Sequence, residues 1–434
     1  MPRQLFSLLS CHRCNRPRGS ETPERPLLPP EPLNREPRTV NREPPTPMNE
    51  HPNILILHSD QQRYDSLGCC GNPHAVTPNL DALAKAGTVF HRHIVSNPIC
   101  MPSRASLFTG RYPNAHGVWH NGVPLPRASY VEHQPQCNQI ARQLYGRDMI
   151  CHVPTLADVL GQAGYQTRAV GKLHLTPFRA TASHRLQEAN SLWHDPKMAD
   201  WHGPYYGFER VDLAVGHGEG TPGHYRHWLQ RNFPDVVKAL QKGEHRKALP
   251  FPQVGDLYAS AITEEAHHST WVGECVCEFL EKERDAQRPF FLFAGFPDPH
   301  HPFTPPAKLA EEFAKHAALP PHSDAREAAT KPRGFADLIR GVNPGRSAMF
   351  AHQLPPEAIK LIRQYTDAMV HLIDRAVGRV LEALKRLNLW DNTIVIFTSD
   401  HGDFLGDHGL LRKETLCSQS LVHVPFLMRI PAAA

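Results

Sequence analysis

Cys100-Met101-Pro102-Ser103-Arg104, followed at once by Ala-Ser-Leu-Phe-Thr-Gly-Arg111, sets a guanidinium one helical turn after a thiol. A cysteine so placed could be a nucleophile or the precursor of one; the plain alternative is a packed thiol at a helix start. Two apolar runs end in oxygen-rich clusters, His58-Ser59-Asp60-Gln61-Gln62-Arg63 and Thr398-Ser399-Asp400-His401-Gly402-Asp403. In an open α/β sheet, ligands gather at the carboxyl ends of strands. Two such clusters at neighbouring strand ends could hold a hard divalent cation. Each aspartate alone would be an ordinary helix cap; together, and with Cys100, they favour the cation. Lys172 and His174 follow the strand-like run 167–170, where a solvated loop is the alternative. His300 and His301 lie between two prolines after another apolar run, and Lys413 closes Asp407-His408-Gly409-Leu410-Leu411-Arg412-Lys413. Asn121, in His-Asn-Gly, reads on its own as a turn residue.

The Cys100 pentapeptide resembles the signature of the type I sulfatases, of the alkaline-phosphatase-like superfamily, in which a Cys-x-Pro-Ser-Arg cysteine is oxidised to Cα-formylglycine. The likeness extends over residues 53–431. It implies covalent catalysis in two steps. One hydroxyl of the hydrated aldehyde attacks sulfur; the other later loses its proton and expels sulfate as the aldehyde re-forms. The resemblance implies a metal held by Asp60, Gln61, Asp400, His401 and the modified Cys100, with Ca2+ the first choice and Mn2+ or Mg2+ the alternatives. It casts Lys172 as binding a sulfate oxygen and orienting the nucleophile, and His174 as a base for the elimination. His300 becomes the acid at the leaving-group oxygen, Lys413 the second cation on sulfate, and Arg104 the group facing the aldehyde and the carboxylates. Such fixed positive charge would lie where the transferring oxygens sit. Asn121 lies where some relatives bind the anion, whereas His301, Asp407 and His408 are expected to be supporting residues.

Gln61 departs from the commoner Asp-Asp pattern and removes a negative charge. Asp-Gln also occurs in relatives that hydrolyse phosphonate monoesters and phosphodiesters, which gives an alternative; the Lys172/His174 pair favours sulfate. A catalytically silent, binding-only relative is a third reading. Maturation would require a formylglycine-generating enzyme as partner.

These residues need a scaffold. Residues 53–57, 290–294 and 393–397 are continuous apolar runs, as in strands covered on both faces. Thr77-Pro78 starts a helix over 78–86, closed by Gly87. Further helices are expected over 102–109, 155–163 and 355–387. Strands alternating with helices predict an α/β fold with a mostly parallel central sheet flanked by helices. Residues 176–255 and 300–350, rich in Gly, Pro and His, are expected to be irregular insertions that shape the pocket. Residues 1–49, Pro/Arg-rich, cannot build a core and are predicted to be disordered, leaving 50–434 as the catalytic domain. The family's smaller C-terminal subdomain is expected to be truncated or missing, since the chain stops soon after the apolar run 424–428.

A net charge of +4 over 434 residues argues against nucleic acid as a partner. No run is long and apolar enough to span a membrane. Ten scattered cysteines show no secreted-style framework, and no clean cleavable leader is visible, so a cytoplasmic location is expected. The alcohol half of the substrate and the oligomeric state carry no sequence signal.

Overall fold

The computed structural model describes residues 51–127, 152–246, 251, 254–342 and 354–432. All of the expected segment 1–49 and parts of 176–255 and 300–350 therefore fall outside the described residues. Seven strands form one sheet: β1 (Asn53–Ser59), β2 (Thr88–Val89), β3 (Gln166–Gly171), β4 (Arg210–Leu213), β5 (Phe290–Gly295), β6 (Thr393–Ser399) and β7 (Phe426–Arg429). Their spatial order is β2-β7-β6-β1-β5-β3-β4. The five strands from β6 to β4 run parallel, with Leu55 opposite Leu292 and Val395. β7 pairs antiparallel with both β6 and β2.

The apolar runs are continuous because alternate side chains serve opposite faces. Leu55, Leu57, Leu292 and Ala294 pack with Val272, Ile373 and Val377 on one side. Ile56, Phe291 and Phe293 pack with Met101, Phe108 and Val211 on the other. The first face is covered by the 31-residue helix Pro356–Arg386, whose apolar positions recur at helical spacing, and by helix His268–Glu278. Helix Pro78–Ala86 also packs against the long helix, and Asp374 accepts from the backbone N–H groups of Asn79 and Leu80 in its first turn. Helix Leu156–Gln162 begins at a capping box, Thr155 with Asp158.

Three expectations are refined. The helix expected over 102–109 starts at Cys100. Pro102 is tolerated because first-turn N–H groups have no partner within the helix. Residues 176–255 are not wholly irregular: they contain β4 and the helices His224–Asn232 and Pro234–Lys242. β4 has four residues in a polar context, too few to show a period. Within 300–350, Ala307–Phe313 and Arg333–Ile339 are helical.

Candidate active site

Four neighbouring parallel strands end on one side of the sheet, and each leads into chemistry. β1 runs into Asp60, β6 into Asp400 and His401, β3 into Lys172 and His174, and β5 into the loop bearing His300. The turn after β3 depends on two glycines. Gly171 has φ +86°, and a Cβ on it would overlap the Gly295 carbonyl; one on Gly295 would overlap the Lys172 carbonyl. With both bare, the Lys172 N–H donates to Gly295 O at 2.7 Å.

The Cys100 helix points its N-terminus into this edge, and the Met101 N–H donates to Asn121 Oδ1 at 3.0 Å. Asn121 thus braces the signature helix, and its amide NH2 is the part able to meet an anion. Arg104, fully buried, donates from Nε to Asp400 Oδ2 (2.7 Å), from Nη2 to Asp60 Oδ2 (3.2 Å) and from Nη1 to the Lys172 carbonyl (2.7 Å). It acts through these groups and is a positioning residue. Lys172 Nζ also pairs with Asp60 Oδ2 and bonds His217 Nε2.

Cation pairing therefore falls on the Oδ2 atoms. Asp60 Oδ1 lies 3.8 Å from Cys100 Sγ and 3.7 Å from His401 Nε2, which is 3.2 Å from the sulfur. Asp400 Oδ1 is 3.6 Å from the same nitrogen and also accepts the Gln61 N–H at 3.0 Å. One ligand atom from each of Asp60, Cys100, Asp400 and His401 lies within 4.8 Å of all the others. His401 Nδ1 faces the Gly402 carbonyl at 2.9 Å, which assigns the proton to Nδ1 and leaves Nε2 bare towards the cluster. Two carboxylates, a bare imidazole nitrogen and the Cys100 position make a donor set that fits a divalent cation. Gln61 sits beside it at φ +67°, a conformation non-glycine residues rarely adopt. Its amide oxygen accepts from Lys413 Nζ at 2.7 Å, and its amide nitrogen bonds His301 Nδ1 and Asp403.

Cys100 is also 3.2 Å from Lys413 Nζ. Burial alone would raise its thiol, but the charges of Lys413 and Lys172 hold it well below the ordinary thiol value. His174 is lowered to about 4, first by burial and then by Lys172. Burial, His217 and Lys413 keep His300 neutral, and its Nδ1 bonds the His301 carbonyl, leaving Nε2 bare. A cavity of about 600 Å³ opens above Cys100 and is lined by Asn121, His217, His300 and Lys413 among others.

The profile of the Sulfatase family matches residues 52–434. The chain belongs to the sulfatase family. It is 28% identical to an arylsulfatase of Clostridium perfringens, over 88% of this chain and 69% of that one. It is 30% identical to the multifunctional alkaline phosphatase superfamily protein PehA of Trinickia caryophylli, over 83% of this chain and 65% of the relative. Among solved structures it resembles the phosphonate monoester hydrolase of Agrobacterium radiobacter, with a TM-score of 0.64, 25% identity, and coverage of 88% of this chain and 68% of that one. The chain thus spans about two thirds of the length of these relatives.

All eleven site residues expected from the sequence lie at the one strand edge or line its cavity. Asp407 braces its loop as expected, accepting from Arg63, Arg363 and Ser420. His301, expected to support, contacts Gln61 and also lines the cavity. Two residues were missed. His217 bonds Lys172 and stacks on His300 with ring centroids 3.4 Å apart. Its signal was the flanking pair Gly216 and Gly218, both at positive φ. Glu188 is buried and accepts the backbone N–H groups of His174, Leu175 (2.7 Å) and Thr176 (3.0 Å), and the Tyr205 hydroxyl (3.0 Å). It clamps the loop in which His174 holds φ +54°. A lone Glu in a polar stretch gives no sequence cue.

Proposed function

We propose that this sulfatase hydrolyses a sulfate ester through formylglycine made from Cys100, with a divalent metal, Ca2+ first, bound by Asp60, Gln61, Asp400, His401 and the modified side chain. The observation that carries this reading is Cys100 itself, buried at the cavity floor within 3.2 Å of both His401 Nε2 and Lys413 Nζ. Its Sγ stands where an oxygen of the hydrated aldehyde would stand. That diol supplies a hydroxyl nucleophile and an internal route for releasing sulfate, and the metal supplies fixed positive charge beside it.

The chain's own residues do the rest. Lys172 and Lys413 neutralise sulfate oxygens and orient the nucleophile, with Asn121 adding an amide donor. His174, neutral near pH 7, is able to accept the proton of the second hydroxyl. His300 must carry a second proton, on Nε2, to protonate the leaving alcohol. Arrival of an anionic ester beside the ring favours that charged form. Arg104 holds Asp60 and Asp400 in place. We extend the proposal to maturation by a formylglycine-generating enzyme and to a cytoplasmic location, which cell fractionation tests.

Gln61 and His401 favour a second reading, hydrolysis of phosphonate monoesters or phosphodiesters. Turnover of 4-nitrophenyl sulfate and of a 4-nitrophenyl phosphonate monoester by metal-loaded protein, matured at Cys100 as verified by peptide mass, separates the two. Faster turnover of the sulfate is expected. Hydrolysis of the phosphorus ester alone would overturn the sulfatase assignment, and binding without turnover of either would favour the silent reading.

A further inference from the structure

Among the described residues that line the cavity, every Lys and Arg side chain but one is already matched. Lys413 is engaged by Gln61 and Cys100, and Arg412 donates to Asp256 Oδ2 at 2.7 Å. Arg179 is exposed at the cavity and has no carboxylate partner among the described residues; its guanidinium rests 5.8 Å from the centroid of the Phe178 ring. No Asp or Glu is among the described residues that line the cavity, and nearby Glu219 is engaged by His245, Arg246 and Ser260. A single sulfate is served by the charge set around Cys100, which leaves Arg179 surplus to it. The Phe178 ring links the two places: it lies 5.1 Å from the His174 ring and 6.1 Å from His217. Asn190, whose N–H donates to the Phe178 carbonyl at 2.8 Å, brings a side-chain oxygen that is buried without a donor to the same wall.

We propose that the substrate carries a second anionic group, a carboxylate or another sulfate, about one ring's width from the scissile sulfate, and that Arg179 reads it. Asn190 offers an acceptor to a neighbouring hydroxyl. This rests on the sulfate-ester reading above and sharpens it to esters with a dianionic or more highly charged framework. An exposed guanidinium meeting a carboxylate or sulfate forms a charge-assisted, bidentate-capable contact.

The test is calorimetric binding to the full-length, metal-loaded Cys100→Ala protein, which holds ester without converting it. Three probes are compared: 4-nitrophenyl sulfate, its ring-carboxylated analogue, and an aryl disulfate. The carboxylated ester or the disulfate is expected to bind roughly tenfold more tightly than the plain ester, the size of one hydrogen bond to a charged group. Whichever gains identifies the group. Adding Arg179→Ala should bring the probes to within about twofold of one another, and Arg179→Lys should restore part of the difference. Equal affinities in the Arg179 protein, or a preference untouched by Arg179→Ala, would overturn the proposal. Turnover by matured Cys100 protein is scored separately. Preference without turnover counts against the hydrolase reading alone, and turnover without preference counts against Arg179 alone.

Discussion

Asp60 and Asp400 stand a few residues before Asp65 and Asp407 on the same two segments, yet the two pairs meet different neighbours. Asp65 accepts twice from Arg63, at 2.7 and 2.8 Å, and bonds His322 Nε2 at 2.7 Å. Asp407 accepts from Arg63, Ser420, Arg363 and the His322 N–H. Arg63 and Arg363 thereby tie β1's exit loop to the long helix and to the loop after β6. At Asp60 and Asp400 the cations take Oδ2, and Asp60 Oδ1 is left facing a thiol and a bare imidazole nitrogen. A carboxylate whose lone pairs are spent on guanidinium groups braces; one with an oxygen left among other donors binds. The cavity beside Arg63, Asp65 and Asp407 is of similar size, about 680 Å³ against 600 Å³. Size therefore does not pick out the site.

The comparison can be broken most severely at Asp400. Asp400→Asn should lower turnover by about a thousandfold or more, since it weakens the proposed metal set and leaves buried Arg104 poorly matched. Elemental analysis of the purified protein should show a parallel loss of divalent metal. Near-normal rate and metal content would move Asp400 into the bracing class. Asp407→Asn should do the reverse. Breaking its buried pairs costs about 3–5 kcal/mol of stability by denaturant titration, while kcat of the protein that remains folded changes by less than about threefold. Its acid dependence has a defined sign. Arg63 holds Asp407 below the usual carboxylate range despite burial. Its contribution is complete above about pH 4 and declines as pH falls through the lowered folded value. Asp407→Asn should remove that part of the acid-unfolding curve.

Much of this division was readable from residue order. Continuous apolar runs marked the parallel strands because both faces of the sheet are covered, and the likeness to the sulfatase motifs picked out the residues that lie just past those strands. The rest depends on contacts between distant segments. The motif implies that Gln61 is a metal ligand, but its amide is shared with Lys413, His301 and Asp403, which no local pattern encodes. β4 and β7 have four residues each, shorter than a useful period. Glu188 acts mostly through backbone N–H groups, for which sequence has no symbol.

Glu188 sharpens the comparison at smaller scale, since it is a braced carboxylate whose load is a reacting group. Glu188→Gln should lower kcat about tenfold with little change in KM, because one amide oxygen cannot serve both sides of the clamp. Glu188→Asp should recover part of the loss. An equal fall in stability with unchanged kcat would reduce it to a structural role. The smallest effect is expected at half-exposed His322. His322→Ala should change stability by no more than about 0.5 kcal/mol and leave turnover unaltered. A large loss there would mean that the bracing network reaches the surface.

The segment from residue 176 to 255 supplies Phe178, Arg179, Asn190 and His217 to the cavity, and it also supplies β4, which closes the edge of the sheet beside β3. Selectivity and architecture are thus written on one stretch of chain. Transplanting the whole segment from a relative would carry a new edge strand into the host, together with Gly207, packed against the backbone at Ala157 and Asp158. Exchange confined to residues 178–200 spares both. For redesign of specificity, the useful module ends before the strand begins.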